Sequence, residues 1–374
     1  LIIDPSISER VINLAVKIQQ IPAPTFDERL RAEFIHQNFV DLGFKDTIFD
    51  DIGNVYAIIK GQGEKPPLVV SAHLDTVFPV NTDLTITRTE DKIFGPGIGD
   101  NSLGLAGLFG LFWALCGNGY MINQKLKLAS DVWLVANVGE EGLGNLSGMK
   151  AVVDRFGEKA RAYIILEGMS LGQIFHQGLG VKRYRITLNT KGGHSWVDYG
   201  EKSAIHELAE LIMKIRSLNF PSEPRTSYNI GTLSGGTSVN TIAAEATMQL
   251  DLRSTSPGVL NEISSQVEAL VKLANQKDGN NIRAVADLIG ERPSGGIPAD
   301  HTLVKLAEEC HVTNGLKAKL NIGSTDANEP LSRGYPSICI GLTTGGGSHT
   351  TGEYINIKSL GQGLGILVDL IRSV

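Results

Sequence analysis

Apolar and polar positions follow two different rhythms along this chain, and the change from one to the other marks its organisation. From Ser6 to Gln20, Ile7, Val11, Leu14, Val16 and Ile18 recur at roughly helical spacing. Ile21-Pro22-Ala23-Pro24 stops that helix, because a residue before proline is pushed out of the helical region. Asp27 to Leu42 reads as a second amphipathic helix closed by Gly43. Asn54 to Lys60 and Leu68 to Ala72 are short apolar runs rich in β-branched residues, read as buried strands. The turn-forming segment Gly95 to Asp100 feeds a helix from Asn101 to Cys116, with Asp100 placed to cap its first amides. Val132 to Val138 and Ala162 to Leu166 are further strands, ending in Gly139-Glu140-Glu141-Gly142 and Glu167-Gly168.

From Val181 the rhythm becomes strict alternation. Val181 to Thr190, Tyr228 to Leu233 and Ala246 to Leu252 predict half-exposed antiparallel strands, with helices at Ser203 to Leu218 and Gly258 to Ala274 and a strand at Ile282 to Leu288. Arg292-Pro293-Ser294-Gly295-Gly296 marks the return. A helix at Asp300 to Cys310, a strand at Ser337 to Leu342 and a helix at Ile357 to Ile371 restore the first rhythm. The prediction is an α/β protein with a mostly parallel sheet flanked by helices, residues 1–179 and 293–374, interrupted by an α+β domain at 180–292.

A chain of 374 residues suits two such domains. The formal charge of −6, with Lys and Arg scattered, excludes a nucleic-acid surface, which needs a clustered basic face. The longest apolar run, Leu103 to Cys116, is too short to span a bilayer, and no signal-peptide pattern is visible. Cys116, Cys310 and Cys339 each sit in apolar surroundings far from one another, which predicts reduced core thiols and a cytoplasmic protein.

Candidate chemistry gathers at the strand ends. His73 and Asp75 close one strand, Glu140 and Glu141 follow another and Glu167 a third. Asp100 and His349 follow glycine-rich turns. In an open α/β fold all of these would lie at the carboxyl edge of one sheet, where ligands bind. Two imidazoles with several carboxylates suit Zn²⁺, Co²⁺ or Mn²⁺, and one carboxylate can bridge two ions. Each also has a plain reading alone: a strand-capping histidine, a helix-capping aspartate, an acidic doublet in a solvated turn.

Ser71-Ala72-His73-Leu74-Asp75-Thr76-Val77, Gly95-Pro96-Gly97-Ile98-Gly99-Asp100, Gly139-Glu140-Glu141-Gly142, Lys191-Gly192-Gly193-His194-Ser195 and the glycine-rich approach to His349 occur in this order over nearly the whole chain. As a set they resemble the co-catalytic di-zinc metallopeptidases and amidohydrolases, which include glutamate carboxypeptidase, aminoacylase, acetylornithine deacetylase, succinyl-diaminopimelate desuccinylase and bacterial tripeptidases. The resemblance implies a zinc-exopeptidase-like fold and two Zn²⁺ per subunit: His73 and Glu167 on one, Glu141 and His349 on the other, and Asp100 bridging. It further implies that Asp75 orients His73 and that Glu140 is the general base. The inserted domain is then a lid through which a homodimer forms, with His194 reaching a neighbouring subunit's active site and Asn240 and Arg253 holding substrate polar groups.

The activity so implied is hydrolysis of the amide bond of di- and tripeptides by a zinc exopeptidase. An N-acyl-amino-acid deacylase of the same chemistry stays open beside it, because Glu167 is the more familiar choice among deacylases, whereas Gly323-Ser324-Thr325-Asp326-Ala327-Asn328 looks peptidase-like. A serine hydrolase built on Gly168-Met169-Ser170-Leu171-Gly172 is the competing class. It requires a helix directly after Ser170, and Gln173 to Gly180 has no helical stripe.

Overall fold

The computed structural model describes residues 2–117, 126–276 and 281–374, and the chain divides into two compact units, Leu1–Gly178 with Gly295–Val374 and Leu179–Ser294. In the first unit the strands run in the order Ile48–Phe49, Val55–Ile59, Val132–Asn137, Leu68–His73, Ala162–Glu167, Ser337–Gly341, Gln173–Gly178 and Gly295–Gly296, with Lys319–Gly323 also paired to Gln173–Gly178. The four central strands, Val132–Asn137 to Ser337–Gly341, are mutually parallel. They are buried along nearly their whole length, which is why they read as continuous apolar runs.

Helices Pro5–Gln19, Gly104–Cys116 and Leu360–Ser373 pack on one another within the same core. Gly104–Cys116 is apolar on every side. Gly110 lets it come close, since a Cβ there would stand 2.7 Å from Val11 and 2.9 Å from Leu364. Ahead of it, Ile98–Leu103 is a separate turn broken by the non-helical backbone of Asp100 and Asn101, so the stretch Ile98–Cys116 is long and apolar enough to cross a bilayer by composition without being one continuous helix. In this fold the stretch is part of the core, with 78% of its apolar window buried.

A second, small antiparallel sheet is absent from the periodicity because its strands are only two or three residues long: Gly345–Gly346, Tyr354–Asn356, Lys92–Phe94 and Thr87–Arg88. It joins the segment before Asp100 to the segments on either side of His349. The strand Gln173–Gly178 also went unread. Ser170 does have the left-handed backbone of a strained elbow, φ 71°, yet it leads into this strand and not into a helix, which removes the serine-hydrolase geometry.

In the second unit, Thr226–Gly235, Glu245–Ser254, Gly180–Thr190 and Ile282–Arg292 form a four-stranded antiparallel sheet in that order. Its inward residues Tyr184, Ile186, Leu188, Met248, Leu250 and Leu252 pack against Leu208, Leu211, Ile263 and Val267 of helices Ala204–Arg216 and Pro257–Gln276. A separate two-stranded ribbon pairs Gly193–His194 with Thr241–Ile242.

Candidate metal centre

Parallel pairing of Leu68–His73 with Val132–Asn137 and Ala162–Glu167 brings the ends of three strands together. His73 is the last residue of its strand and is buried. Its Nδ1 lies 3.0 Å from the carbonyl oxygen of Asp75 and 3.4 Å from Asp75 Oδ1. Its Nε2 lies 3.1 Å from Asp100 Oδ1 and 3.8 Å from Glu167 Oε2. One ring nitrogen is thus fixed by Asp75 while the other faces carboxylates, the arrangement that orients a metal-binding imidazole.

Asp75 is buried completely. Its Oδ1 accepts the Glu140 amide at 2.9 Å, and Oδ2 accepts the Glu141 amide and the Thr25 hydroxyl, each at 2.8 Å. Burial alone would raise its pKa, but the His73 ring and these amides hold it below the usual carboxylate value. From the far end of the chain, His349 places Nε2 3.2 Å from Asp100 Oδ2 and 3.1 Å from Glu141 Oε1. Each oxygen of Asp100 therefore faces a different histidine.

The potential ligand atoms of His73, Asp100 and Glu167 lie within 4.8 Å of one another, as do those of Asp100, Glu141 and His349 and those of His73, Glu140 and Glu141. Crowded carboxylates perturb one another. Burial pushes the Glu167 carboxyl up to about 7 against the pull of His73, with Asp100 and Asp326 adding to the rise. Hydrogen bonds to Asp100 and Glu141 raise His349 to about 10. Burial works against charge on His73, yet Asp100, Asp75 and Glu167 hold its pKa well above normal. A donor set of imidazoles and carboxylates with this excess of negative charge fits two hard or borderline divalent cations sharing Asp100.

Asp100 does not cap a helix. Its backbone is non-helical, φ −113° and ψ 87°, and the helix Gly104–Cys116 begins behind Leu103 without a side-chain cap. Its carboxylate goes to the two imidazoles, a stronger attraction than free amides offer.

The remaining three candidates belong to the second unit. His194 is exposed, and its Nδ1 accepts the amides of Trp196 (3.2 Å) and Val197 (3.4 Å), which leaves Nε2 as the ring nitrogen able to donate to another partner. Asn240 adjoins it: its carbonyl accepts the Ser195 amide at 3.0 Å, and its Oδ1 accepts the Ser238 hydroxyl at 2.7 Å. Arg253 is apart from both. It pairs with Val181 at the other end of Glu245–Ser254, about 26 Å along the strand from Glu245 at 3.3 Å per residue, and its Nε donates to Asp251 at 2.7 Å.

Several supporting residues escaped the sequence reading. Arg31, fully buried, donates to Leu74 O at 2.8 Å and to Ile21 O at 3.1 and 2.6 Å, and Glu28 accepts the Gly139 amide at 3.1 Å. The signal for Arg31 was present: it shares a helical stripe with the core residues Ile35 and Phe39, where an arginine needs partners. Asn137 donates to Asp326 at 2.7 Å, tying the end of Val132–Asn137 to Gly323–Asn328. Thr25 and Glu353 gave no signal, because their contacts join distant parts of the chain.

Comparison with known proteins finds relatives along the whole chain. Residues 179–279 match the peptidase dimerisation domain and residues 54–177 match peptidase family M28. The uncharacterised protein YqjE of Bacillus subtilis is 24% identical, covering 97% of this chain and 98% of its own. Acetylornithine deacetylase of Pectobacterium carotovorum is 25% identical, covering 86% and 84%. Among solved structures, a tripeptidase from Staphylococcus aureus superposes with a TM-score of 0.82 and the aminopeptidase PepT from Bacillus cereus with 0.79, each at 22% identity over 98% of both chains.

Proposed function

We propose, from the premise that this chain is a member of the metal-dependent peptidase and amidohydrolase family, that it is a zinc-dependent exopeptidase cleaving the amide bond of di- and tripeptides. The observation that carries the reading is the division of Asp100 between two histidines, Oδ1 towards His73 and Oδ2 towards His349, which suits a carboxylate bridging two cations. His73 and Glu167 would hold one ion and Glu141 and His349 the other. When bound, two Zn²⁺ supply a Lewis acid for the amide carbonyl and acidify a water, and Co²⁺ or Mn²⁺ can do the same.

The protein's own residues do the rest. Glu140 is buried, its amide is anchored on Asp75, and its carboxylate lies within 4.8 Å of donor atoms of His73 and Glu141. In this position it takes the proton from the attacking water and returns it to the leaving nitrogen. Asp75 keeps the proton of His73 on Nδ1 and fixes the turn that carries both glutamates. His194, donating through Nε2, would act across a homodimer on the developing oxyanion. Asn240 and Arg253 would hold substrate polar groups. The three unpaired cysteines, two of them buried, suit a reducing cytoplasm.

Glu167 and the likeness to acetylornithine deacetylase favour a second reading, an N-acyl-amino-acid deacylase working by the same steps. Zinc-reconstituted protein assayed on di- and tripeptides beside N-acetyl and N-succinyl amino acids, with and without a chelator, separates the two. Chelator-sensitive cleavage of unblocked peptides is expected. Turnover confined to N-acylated amino acids would establish the deacylase, and chelator-indifferent activity would overturn both.

A further inference from the structure

We propose that Glu353 is a positioning residue of the metal centre, which locks the loop carrying Asp100 to the loop carrying His349 and so sets the donor group Asp100, Glu141 and His349. Its side chain is fully buried. Oε1 accepts the amides of Gly99 (2.7 Å) and Asp100 (2.8 Å), Oε2 accepts that of Gly97 (3.2 Å), and the backbone carbonyl accepts that of Gly95 (2.9 Å). Four amides of the Gly95–Asp100 segment thus end on one residue from near the other terminus. A carboxylate is suited to this place because its oxygens accept three backbone amides, charge-assisted bonds of the strong kind that work against burial and the nearby Asp100 carboxylate.

The small sheet makes this clamp mechanical. Tyr354, next in sequence, pairs with Phe94 on one side and Gly346 on the other. Phe94 leads into the Asp100 loop, and Gly346 leads into the His349 loop, which closes through the Glu353 amide to Thr350 O at 3.1 Å. His73 and Glu167 have independent support, each ending a strand of the large sheet. Asp100 is common to both groups, so loss of the clamp should weaken both, and most the group containing His349, whose loop Glu353 also holds, while His73 and Glu167 keep their own places.

The inference rests on the metal reading of these residues, and metal binding itself tests it. Purified wild-type protein, Glu353→Gln and Glu353→Asp are titrated with Co²⁺ by calorimetry and absorption, and their metal content is measured after zinc loading. Wild type is expected to bind two ions. Glu353→Gln keeps the shape but turns an amide donor towards a backbone donor, and is expected to weaken one binding step by about 10- to 100-fold and the other, through the shared Asp100, clearly less. Glu353→Asp keeps both acceptors on a shorter stem and is expected to weaken the same step less, so it decides the matter if the Gln variant does not fold. Two wild-type-like steps in both variants, or equal weakening of both steps, would overturn the inference alone. A wild-type chain that binds no divalent cation would overturn the metal reading and the inference with it.

Discussion

Asp75 holds the turn of Glu140 by its side chain: Oδ1 accepts the Glu140 amide at 2.9 Å, while the backbone carbonyl of the same aspartate lies 3.0 Å from Nδ1 of His73. One buried aspartate, through its carbonyl and its carboxylate (Oδ1 3.4 Å from the same Nδ1), thereby sets both the orientation of a candidate ligand and the position of the candidate base. Asp75→Asn puts an amide donor where only donors are met, facing either the Glu140 amide or the Glu141 amide and Thr25 hydroxyl. Activity or metal affinity is expected to fall by about 10- to 100-fold, as for other groups that orient metal ligands. Steady-state kinetics with parallel metal analysis checks it, and wild-type values for both would refute the role.

Glu140→Gln removes the proton carrier without removing a side chain from the proposed ion pair of sites. A drop in kcat of about 10²- to 10⁴-fold is expected, with two ions still bound. Near-normal kcat would assign the proton transfer elsewhere.

His194 is tested by complementation. His194→Ala and Glu140→Gln proteins, each nearly inactive alone, are expected to regain activity when unfolded and refolded together, because a mixed dimer would combine one intact Glu140 with a partner's His194. Mixing without any gain would place His194 in its own subunit's reaction or outside the reaction.

Arg31 supports the segment between His73 and Asp75 by its bond to Leu74 O. Burial lowers its pKa to about 10, opposed by Asp75 and Glu28, so it is charged at neutral pH. Arg31→Ala leaves the buried Leu74 carbonyl and the half-buried Ile21 carbonyl without these donors and removes a buried cation from beside two carboxylates, at a cost of about 3 kcal/mol. The shift in urea midpoint measures it, and a change below about 1 kcal/mol would show that water replaces the guanidinium.

Phe26 occupies the left-handed position of the turn closed by the Asp27 amide on Pro24 O at 2.8 Å, with φ 77° and 72% exposure. Glycine accepts this conformation freely, whereas an L side chain there costs about 1–2 kcal/mol, part of which the greater freedom of an unfolded glycine cancels. Phe26→Gly is expected to raise stability by roughly 0.5–1 kcal/mol in a denaturant titration. A destabilised variant would show that the ring makes contacts worth more than the strain.

The sequence by itself determined the strands and what stands at their ends. Leu68–His73, Val132–Asn137 and Ala162–Glu167 were legible because burial on both faces leaves a continuous apolar run, and His73, Glu141 and Glu167 were legible because such a run ends in residues that a core rejects. In the second unit the order of strands and helices was legible because one buried face imposes strict alternation. Tertiary structure alone decided the rest. Local sequence offers Asp100 only amides, as a helix cap, and it was the resemblance that put it between two ions; the parallel pairing and the small sheet decided that two imidazoles meet it. Thr25 and Glu353 carry no local pattern at all, since their hydrogen bonds cross long stretches of chain, and a bond of that kind is written in the order of strands and not in the spacing of residues.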